Sequence, residues 1–177
     1  TMASIYTIHN YMIKSKTFLS PEFVNFLLTY GLQISTINNI SNYTINLMEC
    51  QSDEFMKTYN KNSFYNDFAT DIASPYFIIN EGRYGCPNEI SVYRITDWCN
   101  SLSNQDNNAL LLHEFGHIDF TIQNKKANRL FDEEIYADSF ASQIIGNNAV
   151  KQALLSMLNL PLSSQDKVCI NNRIALL

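Results

Sequence analysis

Residues 113 to 117 read His-Glu-Phe-Gly-His. On a helix, positions four apart stand one above the other on a single face, so the imidazoles of His113 and His117 converge on one point. Zinc takes neutral imidazole nitrogen at ~2.0–2.1 Å and favours a tetrahedron, so a third protein ligand and one open position are expected beside this pair. Glu114 is rotated about 100° from His113. That sets its carboxylate beside a bound metal, where it can act as general base on a water that the metal activates. The chain has three histidines, and two of them flank a glutamate at ligand spacing. The third, His9, is read as a surface or core residue.

The candidate for the third ligand is Glu134, within Glu134-Ile135-Tyr136-Ala137-Asp138. With a helix from about residue 131 and a 100° advance per residue, Leu130, Phe131, Ala137, Ala141 and Ile145 fall within about 60° of Glu134. A carboxylate in the middle of an apolar stripe is costly unless something pairs with it. Asp138 follows one turn on, placed to accept the second N–H of a ligating histidine. Glu133 falls at the margin of the stripe and Asp132 beyond it, so Glu133 is expected to be dispensable. Small Ala137 and Ala141 allow a close approach to the histidine helix.

The elements that must carry these residues follow from punctuation and periodicity. Asp106 or a neighbour caps a helix running to about residue 121. Ala109, Leu110, Leu111, Leu112, Phe115, Ile118 and Phe120 lie on all its sides, which marks it as central. A second helix runs to Ile145 with Gly146 as its stop. A third spans roughly 148 to 159, and a last one follows Pro161 and Ser163-Ser164. Upstream, Ser20-Pro21-Glu22 reads as a cap followed by proline at the first helical position, with Gly31 as the stop. Residues 42 to 50 suit strand or helix, and Ser52-Asp53-Glu54 opens a short helix. The β-prone runs Tyr76-Phe77-Ile78-Ile79 and Ile90 to Ile95 flank a segment rich in turn formers, which predicts a hairpin with a long loop.

The bulk numbers bound the classes. A chain of 177 residues with 46% hydrophobic and 12% aromatic residues has ample core for one domain. The net charge of −5 and the absence of a Lys/Arg run supply no electrostatic footprint for nucleic acid or an anionic membrane. Four scattered cysteines, Cys50, Cys86, Cys99 and Cys169, form neither a zinc ribbon nor a disulfide scaffold, and are read as ordinary reduced or buried thiols. No apolar stretch approaches the ~18 residues of a membrane span. The expected location is therefore cytoplasmic or otherwise soluble inside the cell, or secreted if a leader has been removed. Sequons at Asn39 and Asn42 are read as chance matches in an Asn-rich chain.

His113-Glu114-x-x-His117 followed by Glu134-x-x-Ala137-Asp138 resembles the gluzincin metallopeptidases, of both M48 type and ImmA/IrrE type. Ala137-Asp138-Ser139-Phe140-Ala141 is similar to the acid-Ala-Asp-x-Phe-Ala pattern of the second branch. Asn172-Arg173-Ile174 resembles the Arg-Ile near the end of M48 domains, without the His-Pro that precedes it there. The likeness covers about residues 89 to 177. Metzincins are excluded, because their pattern needs Gly and His where Phe120 and Gln123 stand. The resemblance implies an α+β, zincin-like fold in which a small antiparallel or mixed sheet packs on a central active-site helix, with further helices behind it. Ile90 to Ile95 is expected as the edge strand that binds substrate backbone by strand addition. The implied function is a zinc metalloendopeptidase acting on protein or peptide, with Zn2+ on His113, His117 and Glu134 and Glu114 as general base. Alternatives are an ImmA-like peptidase that cuts one protein such as a repressor, or a zinc-binding interaction module without turnover. Tyr84, Tyr93 and Arg94 are candidates by position for stabilising the oxyanion, but core or surface roles suit them better.

Overall fold

The structure is a computed structural model that describes residues 4–8, 11–15, 20–34, 43–55, 74–123 and 125–177. His9 and the sequons at Asn39 and Asn42 lie outside the described residues, as does the Tyr84 side chain. The architecture is α+β. Five strands form one mixed sheet in the order β1-β2-β3-β5-β4, from β1 (Ser4–Ile8), β2 (Tyr11–Ser15), β3 (Thr44–Cys50), β4 (Tyr76–Asn80) and β5 (Glu89–Ile95). β5 is parallel to β3 and antiparallel to β4. The ambiguous residues 42 to 50 are thus strand, while residues 52 to 55 form a single helical turn as expected.

The expected hairpin is present, with Tyr76 opposite Arg94 and Asn80 opposite Ile90. Its loop opens as a 3-10 turn capped by Asn80, whose side chain accepts from the Gly82 N–H. The edge, however, is β4 and not residues 90 to 95, which is a correction. β5 is interior because strands flank it on both sides, and its side chains from Ile90 to Ile95 are buried because apolar clusters cover both faces. Its alternation of Ser91, Tyr93 and Arg94 with aliphatics imitates a half-exposed strand. In fact Ile90 and Val92 join the main core, and Tyr93 and Ile95 join a second cluster with Phe55 and Ile79.

Five helices of more than one turn are described: α1 (Pro21–Ile34), α2 (Asn104–Ile122), α3 (Leu130–Ile145), α4 (Asn147–Met157) and α5 (Ser164–Ala175). α1 begins where the cap predicts, with Ser20 Oγ accepting from the Phe23 N–H, but continues past Gly31 to Ile34. A glycine inside a helix costs only about 1 kcal/mol, and buried Phe23, Phe26 and Leu27 anchor this one against the core. The Phe26 and Phe115 rings stack with centroids 5.8 Å apart.

α2 is central, with Leu112, Phe115 and Ile118 fully buried. Its cap is Ser103, whose Oγ accepts from the Asp106 N–H at 3.1 Å. The edge strand is tied to the start of this helix. Tyr76 Oη donates to Asn107 Oδ1 at 2.9 Å, and Asn107 Nδ2 donates to the Cys99 carbonyl. α3 packs closely on α2 at Gly116, where an added Cβ would lie 2.7 Å from Ala137 Cα and 2.9 Å from the Ala137 carbonyl oxygen. Both obstacles are backbone, so only movement of a helix makes room. Gly116→Ala is expected to lower stability by about 1–3 kcal/mol. Urea denaturation measures this, and an unchanged midpoint would rule out so tight a crossing.

Among the described residues no helix is long and apolar enough to cross a membrane. All four cysteines are free thiols.

Candidate metal centre

The helical hairpin of α2 and α3 brings His113, His117 and Glu134 together, with potential ligand atoms all within 4.8 Å of one another. His113 Nε2 lies 3.0 Å from His117 Nε2. Glu134 Oε2 is 3.0 Å from His113 Nε2, and Oε1 is 3.3 Å from His117 Nε2. These contacts run to different oxygens of Glu134, and they are close to the roughly 3.3 Å edge of a tetrahedron with bonds of about 2.0–2.1 Å, so the three side chains converge at the spacing a zinc ion would need.

The outer ring nitrogens decide what this triangle can bind. His113 Nδ1 stands 2.7 Å from Asp138 Oδ1, and His117 Nδ1 stands 3.0 Å from Glu133 Oε1. A carboxylate only accepts, so each Nδ1 carries a hydrogen, and a ring in its neutral form turns the lone pair of Nε2 inward. Three acceptors then face one another, an arrangement that a shared cation relieves. Nearby charge has the same bias. Among the described residues, the carboxylates of Glu114, Glu133, Glu134 and Asp138 outnumber the one guanidinium, Arg173, that reaches them.

Arg173 is buried and comes from α5. Its Nε and Nη2 each donate to Asp138 at 2.8 Å, a two-point grip, and its Nη1 lies 3.3 Å from Glu134 Oε2. Fork-on-carboxylate pairing of this kind fixes orientation as well as charge. Asp138 therefore holds His113 on one side while Arg173 holds Asp138 on the other. Arg-Ile likeness was the only sequence signal for this residue. Its partners lie far away along the chain, and no local periodicity could reveal them.

Titration follows these contacts. Burial pushes the Asp138 carboxyl up, but hydrogen bonds from Arg173 and His113 outweigh it and hold the carboxyl below its usual range. Glu134 behaves likewise, with His113 and His117 holding it far down against burial. Burial would depress His117, yet the Glu133 and Glu134 carboxylates raise it to about 10. Without a metal, then, the pocket attracts protons strongly, as a cluster of inward-facing acceptors should. Glu114 is half-buried and its carboxyl is raised, chiefly by burial. A carboxylate so raised takes up a proton more readily than an exposed one.

One expectation needs correction. Glu133, read as marginal to the stripe and dispensable, is the carboxylate on His117 Nδ1. The stripe describes which face meets the core, whereas His117 lies one turn beyond His113 and reaches the margin of that stripe. Of the oxyanion candidates, Tyr93 packs with Phe55 in the second apolar cluster, and Arg94 is buried 3.6 Å from Glu49. Neither lines the two cavities that flank the His-Glu cluster. Comparison with protein families, curated proteins and solved structures finds no match to this chain.

Proposed function

We propose that this chain is a zinc-dependent metallopeptidase of zincin-like fold, similar to the gluzincins, in which His113, His117 and Glu134 hold the metal. The observation that carries the reading is the convergence of His113, His117 and Glu134 on one point, with Asp138 and Glu133 holding the outer nitrogens of the two rings so that their Nε2 atoms face inward. Zinc in such a site supplies a Lewis acid that polarises a carbonyl and makes water acidic near neutral pH. Glu114 takes the proton from the attacking water and returns it to the leaving amine, a double duty suited to its raised carboxyl. Glu134 contributes negative charge as well as geometry, and Arg173 fixes the orientation of both Glu134 and Asp138. β4 has one side paired with β5 and no strand on the other among the described residues. It borders the same cleft as Glu114 and His117, which suits it to bind a substrate backbone by strand addition.

Glu114 also weighs against a site kept for structure alone, since such a site needs no base. The test is the metal itself. Purified protein is expected to carry about one zinc per chain, bound by three protein ligands plus one further oxygen. The double variant His113→Ala/His117→Ala is expected to carry none. Elemental analysis and X-ray absorption read both quantities. Full zinc in the double variant, or four protein ligands in the wild type, would sink the proposal. Mass spectrometry of a denatured proteome after incubation then identifies the bonds cut.

A further inference from the structure

The cleft of about 830 Å³ between β4 and α2 carries charge of both signs. Glu114, Glu133 and Glu134 line it at the His-Glu cluster, and Lys125 and Lys126 line it beyond the end of α2. Cations are concentrated here against the trend of the chain. Its net charge is −5, yet three of its 12 lysines and arginines stand between residues 125 and 129.

The third of them, Arg129, is neutralised by Asp132 at 2.8 Å. The two lysines are not. Among the described residues neither ammonium pairs with a carboxylate, and the acids on neighbouring turns are engaged elsewhere. Asp119 accepts from Tyr136 and Gln123, and Glu133 holds His117. Lys125 is nonetheless kept in place. Its backbone N–H donates to the Phe120 carbonyl at 3.1 Å, and its ammonium stands 5.3 Å from the centre of the Tyr136 ring.

Two neighbouring ammoniums on one wall repel each other, and a carboxylate shared between them removes that repulsion. The acids at the His-Glu cluster disfavour a carboxylate there, so charge selects the lysine end of the cleft. From His117 to Ile122, the last residue of α2, the helix rises about 7.5 Å. An extended chain covers that distance in two to three residues.

We propose that Lys125 and Lys126 bind a carboxylate of the substrate two to three residues from the scissile bond. The group is either an acidic side chain or the end of the peptide. This rests on the peptidase reading, which supplies β4 as the track and the His-Glu cluster as the reacting position. It adds the substrate class: an extended peptide that carries negative charge at a fixed distance from the cut.

Binding tests it without turnover. Hydroxamates extended in either direction of the peptide carry Asp, Asn or Lys at the second and third residues from the chelating group. All end in an amide, and a further set carries Asn and ends in a free carboxylate. Calorimetry measures their affinity for the zinc-loaded full chain at low and high salt. In one direction the Asp or free-carboxylate compound is expected to bind about 3–10-fold more tightly than the Asn amide. The Lys compound should bind more weakly than the Asn amide, and all differences should shrink at high salt. Lys125→Gln/Lys126→Gln is expected to abolish the preference, and Lys125→Glu/Lys126→Glu to reverse it. Both lysines are exposed, so both double variants are expected to keep fold and zinc, read by circular dichroism and elemental analysis.

A gain from the Asp compound alone assigns the carboxylate to a side chain, and a gain from the free terminus alone assigns it to the chain end. Either result bears the proposal out. Equal binding of Asp, Asn and free-carboxylate compounds in both directions overturns it while leaving the metal reading intact. A preference that survives charge reversal does the same. If no compound binds a protein that holds zinc, the metallopeptidase reading itself fails, and the lysine subsite with it.

Discussion

Glu114→Gln is expected to keep its zinc and lose peptide hydrolysis by about 10²–10⁴-fold, the usual contribution of a positioned general base. The substitution keeps the size of the side chain and removes only the capacity to accept a proton. Glu114 forms no hydrogen bond with the three candidate ligands that the change could break, since those bonds run among His113, His117, Glu133, Glu134, Asp138 and Arg173. Burial already raises its carboxyl, so a neutral amide there also removes an awkward charge. Zinc content by elemental analysis and cleavage rate on one peptide, measured on the same preparation, separate the two properties. Full activity in the variant would show that another group takes the proton. Zinc loss would show that Glu114 supports the metal directly.

The second large effect belongs to the acid that completes the triangle. Glu134→Gln leaves a neutral oxygen where both imidazoles face a carboxylate, at 3.0 and 3.3 Å. Zinc affinity should fall by more than the roughly 10–100-fold expected on losing a partner of a ligand, and turnover should vanish. Glu133→Gln and Asp138→Asn define that smaller scale, because these carboxylates hold the outer nitrogens of His117 and His113. Of the two, Asp138→Asn is expected to cost more. Asp138 is fully buried and also receives Nε and Nη2 of Arg173, whose charge would lose its main partner. Competition with a chelator ranks the three variants. If Glu133→Gln releases the metal while Glu134→Gln retains it, the helical phase that sets Glu134 inward is wrong.

How far these features could be read beforehand depended on distance along the chain. His113 and His117 are one turn apart, and helical phase places Glu134 and Asp138 on the face that Ala137 and Ala141 mark as closely packed. Gly116 completes that contact, but a lone glycine in a helix carries no sign of what presses on it. Glu133 was misjudged because periodicity locates the core and not the second nitrogen of a neighbouring ring. The order of the sheet was hidden for a different reason. β5 is interior only because β3 pairs beside it in parallel, and residues 42 to 50 suit either helix or strand. Arg173 contacts His113 across 60 positions, beyond any local pattern.

That same distance divides the site by chain entropy. The three candidate ligands lie within residues 113 to 134, on two helices joined by the short link 123–129. Closing so short a connection costs little, and lengthening it twofold would add only about 0.6 kcal/mol. Arg173 arrives instead from a remote segment, and so does the edge strand β4. The three candidate ligands are thus carried by one hairpin, while the arginine behind them and the edge strand beside them come from elsewhere in the chain. On the proposed function, substitutions in β4 are expected to redirect what is recognised without rebuilding what holds the ion.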